Sequence, residues 1–182
     1  MSAVIVLGID PGSRRCGYGV VTRRGSRIEV VESGVLVPGR LPVPERLARI
    51  LDDLGAVIDR ARADEVAIES VFSGVSPRSA LALGQARGVA LAAAARAGLP
   101  VFEYAPAEVK LAFTGNGRAD KEQMVRMARA LLGVAASLSD EADALALAVC
   151  HLARRAARVR AEASLAGARR PRARSRGLGG PA

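Results

Sequence analysis

Four carboxylates carry the chemistry this sequence could do: Asp10, Glu69, Asp140 and Asp143. Asp10 ends the apolar run Val4-Ile5-Val6-Leu7-Gly8-Ile9, and Pro11-Gly12 turns the chain straight after it. Glu69 ends a second short run, Val66-Ala67-Ile68. Asp140 and Asp143 precede Ala144-Leu145-Ala146-Leu147 and, three residues apart, share one face of a helix. Each has an ordinary reading. Aspartate commonly opens an Asp-Pro-Gly turn, and acids in a first helical turn meet the positive end of the helix dipole. The other reading is that a carboxylate at the end of a buried strand is met by positive charge, for which a metal ion is the obvious candidate. Should the four converge, their like charges raise one another's pKa, and divalent cations remove that conflict. Oxygen-only donors suit Mg²⁺, with Mn²⁺ as a substitute. Two such ions about 4 Å apart activate a water and stabilise the leaving oxygen of a phosphodiester.

The lysines give a second signal. Of 27 basic residues only Lys110 and Lys121 are lysine. A compact, movable charge with a tunable pKa is what lysine offers over arginine. Lys121 opens a helix after the loop Gly115-Asn116-Gly117-Arg118, and Lys110 stands on a short helix after a strand. Both are candidate phosphate or transition-state contacts, against the ordinary alternative of codon drift. The folded part has no Gly-x-x-x-x-Gly-Lys loop, so cations would have to hold a phosphate.

The elements that must place these groups follow from periodicity. Strands are expected over Ala3 to Asp10, Gly17 to Arg23 and Arg27 to Leu36, the last two joined by a tight Gly25-Ser26 turn, giving an antiparallel meander. Pro44 suits the start of a helix reaching about Ala63. A fourth strand covers Glu65 to Ser70 and a fifth Val101 to Tyr104, with an alanine-rich helix from Arg78 to Ala97 between them. Helices follow over Pro106 to Phe113, over Asp120 to Leu132 with Asp120 as N-cap, and from near Asp140 to about Arg158. Right-handed crossovers set strands one, four and five side by side and parallel, with strands two and three antiparallel on the other edge. The expected fold is α/β: a mixed five-stranded sheet covered by helices. Parallel neighbours end on the same edge, so Asp10 and Glu69 should meet where open α/β sheets bind ligands.

Composition narrows the class. The 182 residues suffice for one domain with a real core. The longest apolar run, Val89 to Ala95, falls far short of the roughly 20 residues of a membrane span. No signal peptide is read at the N-terminus. Cys16 and Cys150 lack metal-ligand spacing and read as reduced thiols of a cytoplasmic protein. Most of the net charge of +9 lies from Arg154 onward, where nine arginines stand against one acid, Glu162. The domain is expected over residues 1–158 and a disordered basic tail over 159–182, suited either to a polyanion or to solubility alone.

The ordered set of motifs resembles the RuvC family of Holliday junction resolvases, which have the RNase H-like fold. The matching stretches are Gly8-Ile9-Asp10-Pro11-Gly12-Ser13, Gly17-Tyr18-Gly19, Ala67-Ile68-Glu69-Ser70-Val71-Phe72, Leu83-Gly84-Gln85-Ala86-Arg87-Gly88, Phe102-Glu103-Tyr104, Gly115-Asn116-Gly117-Arg118-Ala119-Asp120-Lys121 and Asp140-Glu141-Ala142-Asp143. They span about Met1 to Leu152. The resemblance implies a homodimeric endonuclease that cuts two opposed strands of four-way junction DNA with symmetric nicks. It implies Asp10, Glu69, Asp140 and Asp143 as metal-binding carboxylates, with Lys121 among the catalytic groups. It implies DNA contacts at Phe72, Lys110 and Lys121, and Arg78 and Arg118 are further candidates. Cooperation with the RuvA–RuvB branch-migration complex is also implied. Gly84 and Gly88 match a region near the family's dimer interface, against ordinary packing on the sheet. The only histidine, His151, reads as a plain helix position. Two other classes stand beside the resolvase: a junction- or RNA-binding protein without cleavage, and a related nuclease acting on RNA or structured ends.

Overall fold

In a computed structural model, residues 3–70, 76–134 and 139–168 are described. The elements run β1 (Ile5–Asp10), β2 (Cys16–Arg24), β3 (Arg27–Leu36), α1 (Val43–Ala61), β4 (Glu65–Glu69), α2 (Pro77–Arg96), β5 (Val101–Tyr104), α3 (Pro106–Thr114), α4 (Lys121–Leu132) and α5 (Ser139–Ala168). The sheet order is β3-β2-β1-β4-β5. β1 pairs antiparallel with β2 and parallel with β4, and β4 pairs parallel with β5. Element order, pairing sense and strand order all agree with the sequence reading. Gly25 takes φ 62°, the left-handed conformation a two-residue hairpin needs.

Side chains alternate across each strand, so β1 serves two cores. Leu7 and Ile9 point to one face and pack with Ile50, Leu54, Val57 and Ile58 of α1 and with Ala90, Ala93 and Ala94 of α2. Val6, Gly8 and Asp10 point to the other face, where Leu145, Ala146 and Ala148 of α5 lie with Val109 and Phe113 of α3 and Met124 of α4. The continuous apolar run of β1 is thus explained by burial on both faces. Cys16 and Cys150 are free and buried.

α5 lies almost in contact with the sheet backbone. A Cβ on Gly8 would stand 2.0 Å from the Ala144 carbonyl oxygen, and one on Gly17 2.0 Å from the Asp140 carbonyl oxygen. A Cβ on Gly19 would stand 2.8 Å from the Leu145 side chain. Gly8 pairs with Gly19, and Asp10 with Gly17, so the three glycines form one bare patch beside Asp10. The helix answers with small residues, Ala144 and Ala148, on the face that meets it.

One expectation needs correction, and one open alternative is decided. α5 does not end near Arg158 but continues to Ala168. Its extension, Val159-Arg160-Ala161-Glu162-Ala163, is rich in strong helix formers, and that local propensity outweighs the rising positive charge. Gly84 and Gly88 do not pack on the sheet: among the described residues a Cβ at either would meet nothing within 4 Å. That face of α2 is open within the subunit. No described helix is long and apolar enough to cross a membrane.

Candidate active site

Asp10, Glu69 and Asp143 meet at the C-terminal edge of the parallel strands, lining one cleft of about 270 Å³ with Lys110, Lys121 and Met124. Asp10 and Glu69 each stand at the last residue of a strand. Glu69 projects to the same face as Asp10, because Gly8 pairs with Ala67 and the pleat alternates. α5 supplies Asp143 from its first turns, pressed close by the glycine patch. α4 supplies Lys121 at its first residue, held by a capping box: Asp120 accepts from the Gln123 amide, and the Gln123 side chain accepts from the Asp120 amide. α3 supplies Lys110.

The electrostatics bear the mark of crowded acids. Asp10 is raised to about 7, first by burial and then by Asp143, Glu69 and Asp140, with Lys121 opposing. Burial and Asp143 push Glu69 up against the pull of Lys110. Burial also raises Asp143, whose neighbours Lys121 and Lys110 lower it and Asp140 raises it. The two lysines therefore stand among the three acids and offset only part of their repulsion. Such hard oxygen donors in a partly desolvated cleft are what a hard divalent cation takes. Among the described residues no three acid, histidine or cysteine side chains stand close enough together, as they lie, to hold one metal ion. It is in donor chemistry, three carboxylates lining one cleft, that the residues fit such a cation.

The other sequence candidates fall outside this cleft. Asp140 stands at its rim, 3.9 Å from the Arg15 guanidinium, and acts on Asp10 through its charge. Arg118 and Arg78 are exposed and line no part of the cleft. Phe72 lies outside the described residues.

Sequence reasoning missed three features. Arg15 faces Asp140 from the turn after β1, and the run Ser13-Arg14-Arg15 beside the first motif was its signal. The glycine patch was visible as Gly8, Gly17 and Gly19, but its meaning needed the register. His151, read as a plain helix position, is fully buried at the centre of a polar network. Its Nδ1 lies 2.7 Å from the Tyr104 hydroxyl and its Nε2 2.5 Å from Glu65, which also accepts from Arg155. Burial holds His151 below the usual imidazole value. A neutral ring serves both neighbours in one tautomer only: Nε2–H donates to the Glu65 carboxylate, and Nδ1 accepts from Tyr104. Nothing in single-sequence periodicity signals this network.

Known proteins place this geometry. The family model for RuvC, crossover junction endodeoxyribonuclease, matches residues 6–151. A crossover junction endodeoxyribonuclease RuvC of Anaeromyxobacter dehalogenans (strain 2CP-1) is 79% identical over 153 residues, covering 84% of this chain and 83% of the relative. Among solved structures, Thermus thermophilus RuvC in complex with a Holliday junction substrate superposes with a TM-score of 0.75 at 38% identity, over 82% of this chain and 93% of that one. A second Thermus thermophilus RuvC structure gives 0.73 at 37% identity, over 84% and 97%. With its sheet order, its three strand-end and helix-start acids and these matches, the chain belongs to the RuvC family of crossover junction endodeoxyribonucleases, with the RNase H-like fold.

Proposed function

We propose that this chain resolves four-way DNA junctions in homologous recombination and repair, hydrolysing one phosphodiester in each of two opposed strands. The observation that carries the reading is the convergence of Asp10, Glu69 and Asp143 with Lys110 and Lys121 in one cleft of a RuvC-family chain. Nucleases of this family depend on a divalent metal. Asp10, Glu69 and Asp143, with Asp140 at the rim, would hold two Mg²⁺ ions, Mn²⁺ substituting, and bound cations of this kind activate a water and stabilise the leaving oxygen.

The chain's own groups divide the remaining work. Lys121 and Lys110, which line the cleft and pull Asp143 down, would offset the repulsion between an entering phosphate and the acids. Lys121 is carried on the first residue of a capped helix, which fixes the approach. Arg118 and Arg78, both exposed, would meet backbone phosphates farther out, and Phe72, as the family resemblance implies, would stack on a base freed at the junction. Two copies related by a twofold axis would cut symmetric strands and leave ligatable ends. The open Gly84 and Gly88 face of α2 supports such a homodimer, because bare glycines let a second backbone approach closely. Work with a RuvA–RuvB branch-migration complex in the cytoplasm completes the reading.

The test is cleavage of a synthetic mobile four-way junction in Mg²⁺ by the unaltered protein and by Asp10→Asn. Paired symmetric nicks from the first, and binding without nicks from the second, are the expected result. Binding without cleavage by both, in Mg²⁺ and in Mn²⁺, would leave a junction-binding protein instead.

A further inference from the structure

Arg87 is a buried arginine, 8% exposed, on an alanine-lined face of α2. Its guanidinium makes two contacts. One nitrogen donates to the backbone carbonyl of Glu69 at 2.6 Å, and another meets the Glu103 carboxylate on β5 at 2.7 Å. A buried charge is costly to desolvate, and apolar residues of similar volume commonly serve stability as well or better. Packing on this face would be met by leucine or methionine. The guanidinium is explained by what it holds.

The Glu69 carbonyl needs a partner for a reason written in β1. Val66 donates to Pro100 and Ser70 to Tyr104, so the amides of alternate residues 66, 68 and 70 face β5. Residues 65, 67 and 69 therefore direct their backbone groups toward β1. The register Ile9 to Ile68 sets Glu69 opposite Asp10, and in a parallel ladder its carbonyl would accept from the next residue, Pro11. Proline has no N–H. The same proline that turns the chain after Asp10 thus orphans the carbonyl of the neighbouring acid, and a buried unpaired carbonyl is unfavourable. Arg87 supplies the missing donor from the face opposite the cleft.

We infer that Arg87 is a positioning residue of the nuclease centre: by taking the Glu69 carbonyl that Pro11 cannot serve and anchoring to Glu103, it sets where the Glu69 carboxylate stands. It acts through the backbone rather than by charge. The charges felt by the Glu69 carboxylate are those of Asp143 and Lys110. Substituting Arg87 therefore loosens the strand end without changing which charges surround the acids. The inference rests on the metal-nuclease reading above and assigns a further residue to it.

The experiment compares the full-length unaltered protein with Arg87→Met, Arg87→Lys and Glu103→Gln. Four quantities are read: Mn²⁺ binding by electron paramagnetic resonance without DNA, junction binding in EDTA, single-turnover cleavage against Mg²⁺ concentration and pH, and melting temperature. Arg87→Met is expected to weaken Mn²⁺ binding and slow cleavage at saturating Mg²⁺, each by about tenfold or more. Metal-free junction binding should stay within about twofold of the unaltered protein, and the shape of the pH–rate profile should be kept. Lysine offers a single compact cation and cannot fork between two acceptors, so Arg87→Lys should show the same split with a smaller loss in melting temperature. Glu103→Gln keeps the contact to the carbonyl and should fall between the unaltered protein and Arg87→Lys. Folded Arg87→Met or Arg87→Lys protein with unaltered Mn²⁺ affinity and cleavage would overturn the inference. So would losses in junction binding that match the losses in cleavage, or failure of both variants to fold, each of which would make Arg87 part of the scaffold only. Failure of the unaltered protein to cut any junction would instead remove the nuclease reading, while the Mn²⁺ arm still reports on Arg87.

Discussion

Gly17→Ala isolates the contact that sets α5 against the sheet. Gly17 sits opposite Asp10 and does not have a positive φ, so its backbone conformation suits alanine. The obstacle is outside the residue. The new Cβ would lie 2.0 Å from the Asp140 carbonyl oxygen and 2.5 Å from its carbon. Ordinary contact begins at 3.4 Å, so the first turn of α5 must retreat by about 1.4 Å. The obstructing atoms are helix backbone, and Gly8 and Gly19 still clamp the next turns at Ala144 and Leu145, so the helix end must tilt. That tilt carries Asp140 and Asp143 away from Asp10 by a similar distance. Overpacking of this kind destabilises by about 1–3 kcal/mol, while a misplacement near 1 Å in a reacting constellation costs about 100-fold in rate. The assay pairs thermal melting with single-turnover junction cleavage in Mg²⁺. Gly17→Ala should melt lower, cut about 100-fold more slowly and still bind the junction in EDTA. Gly55→Ala on α1 is the control: nothing lies within 4 Å of its Cβ, and alanine should stabilise the helix by about 0.5–1 kcal/mol with cleavage unchanged. Wild-type cleavage by Gly17→Ala would refute the claim that glycine is needed there to seat the acids.

Other consequences follow from the same contacts. Because Asp10 is raised from 3.8 to about 7 in the folded protein, the native state binds the extra proton, and metal-free stability should fall as pH rises between those values; Asp10→Asn should remove that part of the slope, worth up to about 4 kcal/mol, and blunt the rise in melting temperature on adding Mg²⁺. For His151, held below its usual value by burial, the unfolded chain binds the proton first, so stability should be lost as pH drops below about 6.5. His151→Phe should abolish that loss in urea titrations while destabilising the protein by about 2–3 kcal/mol, since it leaves the Tyr104 hydroxyl without its partner and Glu65 with Arg155 alone. Truncation after Ala168 keeps the observed helix and removes Arg169 to Ala182; it should weaken binding to non-specific duplex and flatten its salt dependence, and an unchanged salt slope would mean that this segment does not contact DNA.

Much of the fold was legible in the chain because its signals are local. A two-sided apolar run makes β1, Gly25-Ser26 makes the hairpin, Pro44 and Pro106 mark helix starts, and Asp120 caps α4. Chain order with right-handed crossovers then fixes which strand ends share an edge, and with it the meeting of Asp10 and Glu69. The site residues were legible for a different reason: acids and lysines are out of place at the ends of apolar runs and in an arginine-rich chain.

Tertiary structure decided what depends on separation in space rather than spacing in sequence. It divided the acids, drawing Asp143 into the cleft and leaving Asp140 at the rim beside Arg15. It opened the Gly84 and Gly88 face that packing on the sheet would have closed, and carried α5 past its expected end to Ala168. His151 and Arg87 make the point most clearly. Each is one residue of ordinary helical sequence, and each owes its role to partners 86 and 18 residues away. A periodicity reports which face of an element is buried; it says nothing of which polar group waits on the other side, because that is fixed by the register between elements and by a proline that withholds one N–H.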